Sequence, residues 1–520
     1  MEDTPQLPIG ITGFADFIDS NMLYVDKTDL VANIARQQGF FFLSRPRRFG
    51  KSTLISTFHE LFSYGTERFK CLKLEQAGWD DRTYPVVRLD FSTVNEYLEA
   101  GITFDHEFGS NLRDGFFTAK LPLDEGARWN TALNQKLSKL ANNSLVLLID
   151  EYDAPLNKTL NDPAAFADHH KTLDTFFRLI KKFNSKFRFV FVTGILEFSS
   201  LDFLSSCNIV RDLSFDSRYA AITGFTQQEL EDNFKTYIEN ASRELSHETA
   251  EDYPVSRVLK ELKDHYAAYS FDERATVQVY NPWTILNFME NPADEFSPYW
   301  VRTGGSQADL LSQYLNRLLK QNNGINAIAC LLTPGFLKEA YVDTLCHPIE
   351  NCSTKDLSML ALLYQTGYFT IKQADQIQLE IGIPNLEVRT AFADAIVKEL
   401  SHKRLPNSYA FVDKFKSSFE QALESNDAAA LQNLINEIFN TFSAVCLQNC
   451  PQSSCLALLK LAGLLLGYNC SETEPDAAGH CGITIKRQDK TYLIELKAAY
   501  KSVKAQEPRF ACHIVNFEQV

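Results

Sequence analysis

Two short stretches of this 520-residue chain contain residue types whose spacing can do chemistry together. The first is Phe40-Phe41-Phe42-Leu43-Ser44-Arg45-Pro46-Arg47-Arg48-Phe49-Gly50-Lys51-Ser52-Thr53. Its order, an apolar run, a basic turn and then a helical pattern, predicts strand, loop and helix. Backbone N–H groups at a helix N-terminus point at anions, and the helix dipole favours negative charge there. Lys51 is placed to reach the β/γ-phosphates of a nucleotide, and the Ser52 hydroxyl to take Mg²⁺. Arg47 and Arg48 add positive field, and Arg45, Gly50 and Thr53 complete the candidate nucleotide-binding set. The usual pattern has Gly at the place of Arg45.

The second stretch is Leu145-Val146-Leu147-Leu148-Ile149-Asp150-Glu151. A continuous apolar run suits a strand buried on both faces of a parallel sheet. Its acid pair falls at the carboxyl end, where open α/β sheets bind ligands. Asp150 is expected to hold the metal, and Glu151 to orient or deprotonate the attacking water. The alternative for Asp150 is a cap on the following turn. Tyr84 to Ser92 and Phe187 to Gly194 read as further strands of the same sheet. Thr193, at the end of the second of these, is the candidate γ-phosphate sensor, and a Thr that merely finishes a strand is the plainer reading.

With these stretches the chain resembles a bacterial family, the AAA-ATPase-like proteins. The resemblance rests on Tyr24-Val25-Asp26-Lys27-Thr28, Ser44 to Ser52, Ile149 to Leu156, Thr193-Gly194-Ile195, Gly224-Phe225-Thr226, Tyr280 to Trp283 and Tyr299 to Gly304. It spans about residues 5–370. That family also has Arg at the place of Arg45. The resemblance implies an ATP-binding domain of P-loop, AAA/ASCE type that uses ATP and Mg²⁺.

Members of that family often carry a C-terminal PD-(D/E)XK nuclease-type domain. Ile483 to Ile485, a turn, and Thr491 to Lys497 read as a β-hairpin ending in Glu-x-Lys. The resemblance makes Glu495 a metal ligand and Lys497 its partner in positioning water. Gly482, however, stands where the family has its metal-binding Asp. Asp476 or Glu474, just upstream, are the candidates to replace it. The expectation is a small, degenerate restriction-endonuclease-like α/β domain with weak or absent cleavage. An ordinary strand end is the alternative.

Composition sets the frame for these sites. The apolar fraction of 45% is ample for buried cores. A net charge of −15 and a pI near 5.2 argue against a wholly basic nucleic-acid binder but leave room for a local basic groove. The N-terminal residues lack the basic and apolar blocks of a signal peptide. No run reaches the roughly 18–20 apolar residues of a membrane span. A cytoplasmic location is expected. The 11 cysteines have irregular spacing, as reduced thiols do. Cys446, Cys450, Cys455, Cys470, His480 and Cys481 do not form the paired pattern of a zinc site.

The expected organisation is a P-loop domain over 1–225, a helical or winged-helix-like lid region over 226–375, a helical connector over 376–440 and the nuclease-like domain over 441–520. Leu54, Phe58, Leu61 and Phe62 share one face of the helix after the loop. Pro163 to Phe183 reads as another helix. The stretch 94–143 reads as a helical insertion reaching over the nucleotide. Thr226 and Glu229 form a capping box. The aromatic residues between Tyr266 and Trp300 are expected to be core, with a stacking surface for single-stranded nucleic acid as the competing reading.

Two functions remain open on these residues. One is an ATP-hydrolysing enzyme acting on, or regulated by, DNA or RNA. The other is a nucleotide-dependent switch whose nuclease-like domain only binds a partner. A nucleoside kinase shares the loop but fits poorly with the acid pair and the long C-terminal region. Arg211 and Arg218 are candidate arginine fingers, with surface ion pairing as the plainer role.

Overall fold

The structure, a computed structural model, describes residues 5–94, 102–198 and 209–302 apart from Asp80, Asn161 and Glu295. Further on it describes 359–375, 378–400, 408–441, 459–464, 466, 468–473, 481–487, 490–501 and 509–519, with isolated residues between 311 and 345. The chain divides into two compact units, one of residues 1–297 with 339–379, the other of 298–338 with 380–520.

The first unit is built on five strands: β1 (Gly39–Ser44), β2 (Val86–Asp90), β3 (Leu145–Asp150), β4 (Phe187–Gly194) and β5 (Val210–Asp212). They pair in the order β2-β3-β4-β1-β5, and each neighbouring pair is parallel. Parallel neighbours need crossover connections, which place helices on the sheet faces and bury both sides. All six residues of β3 are accordingly buried, as its unbroken apolar run predicts. The order has one consequence for the site: β4, which carries Thr193, lies between the strand that feeds the basic loop and the strand that ends in the acids.

Aromatic packing fastens the helix Lys51–Tyr64 to this sheet. Phe58 sits 4.7 Å from Phe191 and Phe62 4.9 Å from Phe189, ring centre to ring centre. Both phenylalanines of the helix are fully buried, and truncating such a residue to Ala costs about 3–5 kcal/mol. On the opposite face Tyr152 meets Phe42 edge-on at 5.5 Å. The helix Pro163–Lys182 starts as the sequence predicts, with the Asp162 side chain accepting from the N–H groups of Ala164 and Ala165.

The stretch expected to be a helical insertion is helical where it is described. Its described part forms the helices Phe104–Thr118 and Trp129–Lys139. Phe108 packs against Phe91 at 5.1 Å and against Phe176 at 5.4 Å. These helices cover the β2 side of the sheet, because their apolar residues belong to that core. Among the described residues none of them lines the cavity beside the loop.

The capping box of Thr226 and Glu229 is present. The aromatic residues Tyr266, Tyr269, Phe271, Tyr280 and Phe288 are buried, and Phe288 stacks on Phe296 at 4.8 Å. They serve as core. The helix Met359–Gln365 and strand Thr370–Ala374 follow, and the Thr370 hydroxyl accepts from the Ser270 N–H at 2.8 Å.

The second unit contains the helices Leu386–Leu400, Ser408–Glu424 and Ala428–Thr441. It also has a sheet of four strands in sequence order, Asn469–Thr473, Cys481–Arg487, Lys490–Lys501 and Arg509–Gln519. Every pair in it is antiparallel. The predicted hairpin is therefore present, and its register sets Gly482 directly opposite Glu495. Lys497 follows on the same strand, after an irregularity between Glu495 and Leu496. Asp476 and Glu474 lie outside the described residues, as do Cys446, Cys450, Cys455 and His480. Among the described residues no three His, Cys, Asp or Glu side chains cluster as a metal site.

Candidate functional site

The basic loop begins where β1 and β4 end together. Ser44 pairs with Gly194, and the Arg45 N–H donates to the Gly194 carbonyl at 3.1 Å. The chain then turns sharply, with Arg48 at φ 67° and Gly50 at φ 88°. Those values lie in the left-handed region, where a Cβ is costly and glycine is at ease. Gly50 is the N-cap of the helix Lys51–Tyr64 and offers no side-chain cap. The first N–H groups of that helix are thus left without a side-chain cap, the arrangement that binds phosphate.

Lys51 is buried, and its Nζ donates to the carbonyls of Arg45 at 2.9 Å and Pro46 at 3.0 Å. Burial draws its pKa below the ordinary lysine value, opposed by Glu151, Asp150 and Asp153. The loop therefore folds back over its own ammonium group. Ser52 and Thr53 lie on the cavity wall with Lys51 and Glu151.

The acids sit beside this loop. Asp150 is 2% exposed, and its Oδ1 accepts from the Thr193 hydroxyl at 2.6 Å and from the Glu151 N–H at 3.1 Å. Both bonds fall on one oxygen. The other carboxylate oxygen of Asp150 and the Ser52 hydroxyl are oxygen donors of the kind Mg²⁺ takes, one or two from protein with the rest from water and phosphate. By donor chemistry those residues fit the metal; Ser52 lines the cavity, and Asp150 lies behind its wall. Glu151 has φ 48°, a strained left-handed value for a side-chain-bearing residue. Burial pushes its pKa up, with Lys51 opposing and Asp153 and Asp150 reinforcing.

Thr193 is brought to Asp150 and does not itself line the cavity. Arg45 also departs from its reading as a nucleotide-binding side chain. Its guanidinium is buried and donates to the carbonyls of Ser44 and Ser214, each at 2.8 Å. It lies over the Phe271 ring at 4.4 Å. Burial lowers its pKa to about 10. A basic residue in a phosphate loop reads as a ligand, but the adjacent Ser44 carbonyl and the distant Ser214 carbonyl claim this one. Arg47 lines the cavity; Arg48 does too, and lies over the Trp283 ring at 4.3 Å. Arg211 donates to Gln37, and Arg218 pairs with Asp216, which is the surface role.

Three residues near the acids and the cavity wall escaped the reading of the residues alone. Asp153 is buried and its Oδ2 accepts from the N–H groups of Leu196 at 2.7 Å and Ile195 at 3.1 Å. It anchors the exit of β4, where a Cβ on Gly194 would come within 2.7 Å of its Oδ1. Lys27 donates to both Glu229 oxygens, at 2.7 and 2.6 Å. This ties the segment before β1 to the capping box at Thr226. Trp283 follows Asn281, whose side chain caps the helix Pro282–Glu290. The repeated Asp-x-x-Asp spacing and the Asn-Pro-Trp turn were the available signals.

The cavity has a volume of about 290 Å³, near the lower end of the roughly 300–1,000 Å³ of small-molecule sites. It runs from Lys51 and Glu151 to apolar walls contributed by Leu23, Val25, Ile222 and Leu286.

Comparison with known proteins agrees with this arrangement. A family model described as a predicted AAA-ATPase (AAA-ATPase-like) matches residues 8–204. The chain is also 27% identical over 513 residues to an uncharacterized protein in the vnfD 5′ region of Azotobacter chroococcum mcd 1, covering 95% of this chain and 89% of that protein. The matched family region contains the loop, the acid pair and Thr193, and the five-stranded parallel sheet is consistent with a P-loop NTPase-like domain. Among the described residues no helix is long and apolar enough to cross a membrane.

Proposed function

We propose that the first unit binds ATP with Mg²⁺ and hydrolyses it. The observation that carries this reading is the placement of β4 between β1 and β3, which sets Lys51 and Ser52 beside Asp150 and Glu151. The uncapped N–H groups of the helix Lys51–Tyr64 and the Lys51 ammonium receive the β- and γ-phosphates. To do so Lys51 exchanges its two carbonyl partners for phosphate oxygens. Ser52 and Asp150 hold the metal, which when bound neutralises developing phosphate charge. Thr193 fixes the Asp150 carboxylate through Oδ1. Glu151 orients the attacking water and takes its proton. Its raised pKa makes it a stronger base than an exposed carboxylate.

The test separates binding from turnover. Lys51→Ala is expected to abolish ATP binding or hydrolysis. Glu151→Gln is expected to retain ATP and lose about 10²–10⁴ in rate. Unchanged affinity and rate in Lys51→Ala would remove the assignment.

The intact acid pair supports real turnover; DNA or RNA is proposed as the partner only by way of the family resemblance. ATPase rates with and without single-stranded DNA, duplex DNA and RNA test that partner. The second reading is a nucleotide-dependent switch with a non-cleaving C-terminal unit. The register that sets Gly482 opposite Glu495 supports it, because a hairpin metal site there would have one carboxylate where two are needed.

A further inference from the structure

We propose that Asp153 is a positioning residue for hydrolysis: its buried carboxylate grips the exit of β4 and thereby holds Glu151 in the left-handed conformation that sets it on the cavity wall. This rests on the reading of Glu151 as the base and names what keeps that base in place.

Glu151 is the member of the acid pair that needs holding. Its φ of 48° is costly for a side-chain-bearing residue, and such a conformation persists only where the surroundings over-determine it. Both of its neighbours are fixed. On one side Asp150 ends β3 and takes the Thr193 hydroxyl. On the other side the chain is fastened to the end of β4 and the residues after it. The Tyr152 N–H donates to the Thr193 carbonyl at 3.0 Å, and the Tyr152 hydroxyl donates to the Leu196 carbonyl at 2.8 Å. Asp153 Oδ2 accepts from the N–H groups of Ile195 and Leu196, and the Asn157 amide donates to the same oxygen at 2.6 Å. The segment they grip is itself anchored from β1, because the Ser44 hydroxyl donates to the Ile195 carbonyl at 2.6 Å.

The plainer role for Asp153 is a helix cap, since it directly precedes the helix Ala154–Asn157. An N-cap Asp satisfies the free N–H groups of its own helix. The Asp153 side chain caps none of them and turns to β4 instead. The two segments approach so closely that a Cβ on Gly194 would come within 2.6 Å of the Tyr152 ring. Hydrogen bonds from backbone N–H groups to a carboxylate are among the strong ones. The turn Glu151–Ala154, closed by the Ala154 N–H on the Glu151 carbonyl at 3.0 Å, is thus pinned at its second and third residues. The backbone of Glu151 takes up the geometry that results. Asp153 does not line the cavity, so its effect reaches the reaction through Glu151.

Two measurements on the full chain test the inference. The first compares the melting temperatures of Glu151→Gly and Glu151→Ala, each alone and combined with Asp153→Asn or Asp153→Ala. Both substitutions remove the carboxylate, but only Gly adopts a positive φ freely. With Asp153 present, Glu151→Gly is expected to melt about 2 °C or more above Glu151→Ala. Adding Asp153→Ala is expected to close that gap. The second measurement is ATPase kinetics. Asp153→Ala is expected to lower kcat toward the loss of about 10²–10⁴-fold that removal of the base itself gives, with ATP affinity little changed. Asp153→Asn keeps an acceptor oxygen and is expected to recover part of the rate. In a Glu151→Gln chain, Asp153→Ala is expected to cost little further rate, because residues that act as a unit are not additive. A general loosening of the fold would instead lower the rate by the same factor in both chains. A gap between Gly and Ala that Asp153→Ala leaves undiminished, or equal rate losses with and without Glu151, overturns the inference while Lys51-dependent ATP binding still stands. If Asp153→Ala does not fold, Asp153→Asn carries both comparisons. Wild type that binds ATP without hydrolysing it overturns the hydrolytic reading instead, and the melting comparison then decides by itself what Asp153 holds.

Discussion

Replacing Thr193 with Val isolates one bond at the centre of the site. The Thr193 hydroxyl donates to Asp150 Oδ1 at 2.6 Å, and the two residues are 0% and 2% exposed. Val nearly preserves the volume, so no cavity term enters. What is lost is a hydrogen bond to a charged group, which contributes about 1.5–3 kcal/mol. Water has little access to replace it. Oδ1 would keep only the Glu151 N–H, at 3.1 Å. Unfolding free energy of the full chain is therefore expected to fall by about 1.5–3 kcal/mol in urea titrations. A cycle with Asp150→Asn is expected to show coupling of similar size. Catalysis should register the same loss through the metal: about tenfold more Mg²⁺ to reach half-maximal ATPase for each 1.4 kcal/mol transmitted to Asp150. Thr193→Ser, which retains the hydroxyl, is expected to recover most of both effects. Coupling below about 0.5 kcal/mol, the level at which independent sites add, together with an unchanged Mg²⁺ requirement, would refute the argument that β4 positions the acid through this bond.

Glu151 should impart a pH dependence. Burial places its folded pKa above the unfolded one, so its contribution to stability is full below the ordinary carboxylate range and is lost as pH rises through the raised value. Hydrolysis has the opposite requirement, since the base acts ionised; the acid limb of the pH–rate profile is expected above the ordinary Glu range and absent in Glu151→Gln. Lys27→Met leaves the Glu229 carboxylate held only by Thr226, and is expected to destabilise the chain by about 1–3 kcal/mol in thermal unfolding, with Glu229→Gln relieving part of the loss. Incubation with DNA and RNA in Mg²⁺ or Mn²⁺ is expected to give no cleavage attributable to the second unit; robust cleavage abolished in both Glu495→Ala and Lys497→Ala would show a live site despite Gly482.

Much of the phosphate end was legible because it is local in sequence. Phe40 to Leu43, Leu145 to Ile149 and Phe189 to Val192 are unbroken apolar runs, and a run of that kind between polar residues has few fates other than a strand buried on both faces. Loop, acid pair and hydroxyl each follow such a strand directly. The apolar wall of the cavity was not legible for the opposite reason. Leu23 and Val25 come from before the sheet, Ile222 and Thr223 from after it, and Leu286 from a helix further on. No periodicity links them. Arg45 misled because its type matches phosphate binding, while the partners that bury it, Ser214 and Phe271, lie far along the chain.

The Lys51 ammonium held between two backbone carbonyls has a thermodynamic meaning for whatever enters. A lysine side chain loses up to about 2 kcal/mol of rotational freedom when it is immobilised. In this loop that loss is already incurred during folding, since Nζ is fixed by Arg45 and Pro46 before any anion arrives. Entry is then a swap of oxygen partners with little further ordering of the side chain. Such an exchange favours a ligand able to present more than one oxygen at once, and it penalises a single weak acceptor, which cannot replace both carbonyls. A loop that took up phosphate in this way would select by the number and negative charge of the oxygens it is offered, independently of what is attached at the far end of the ligand.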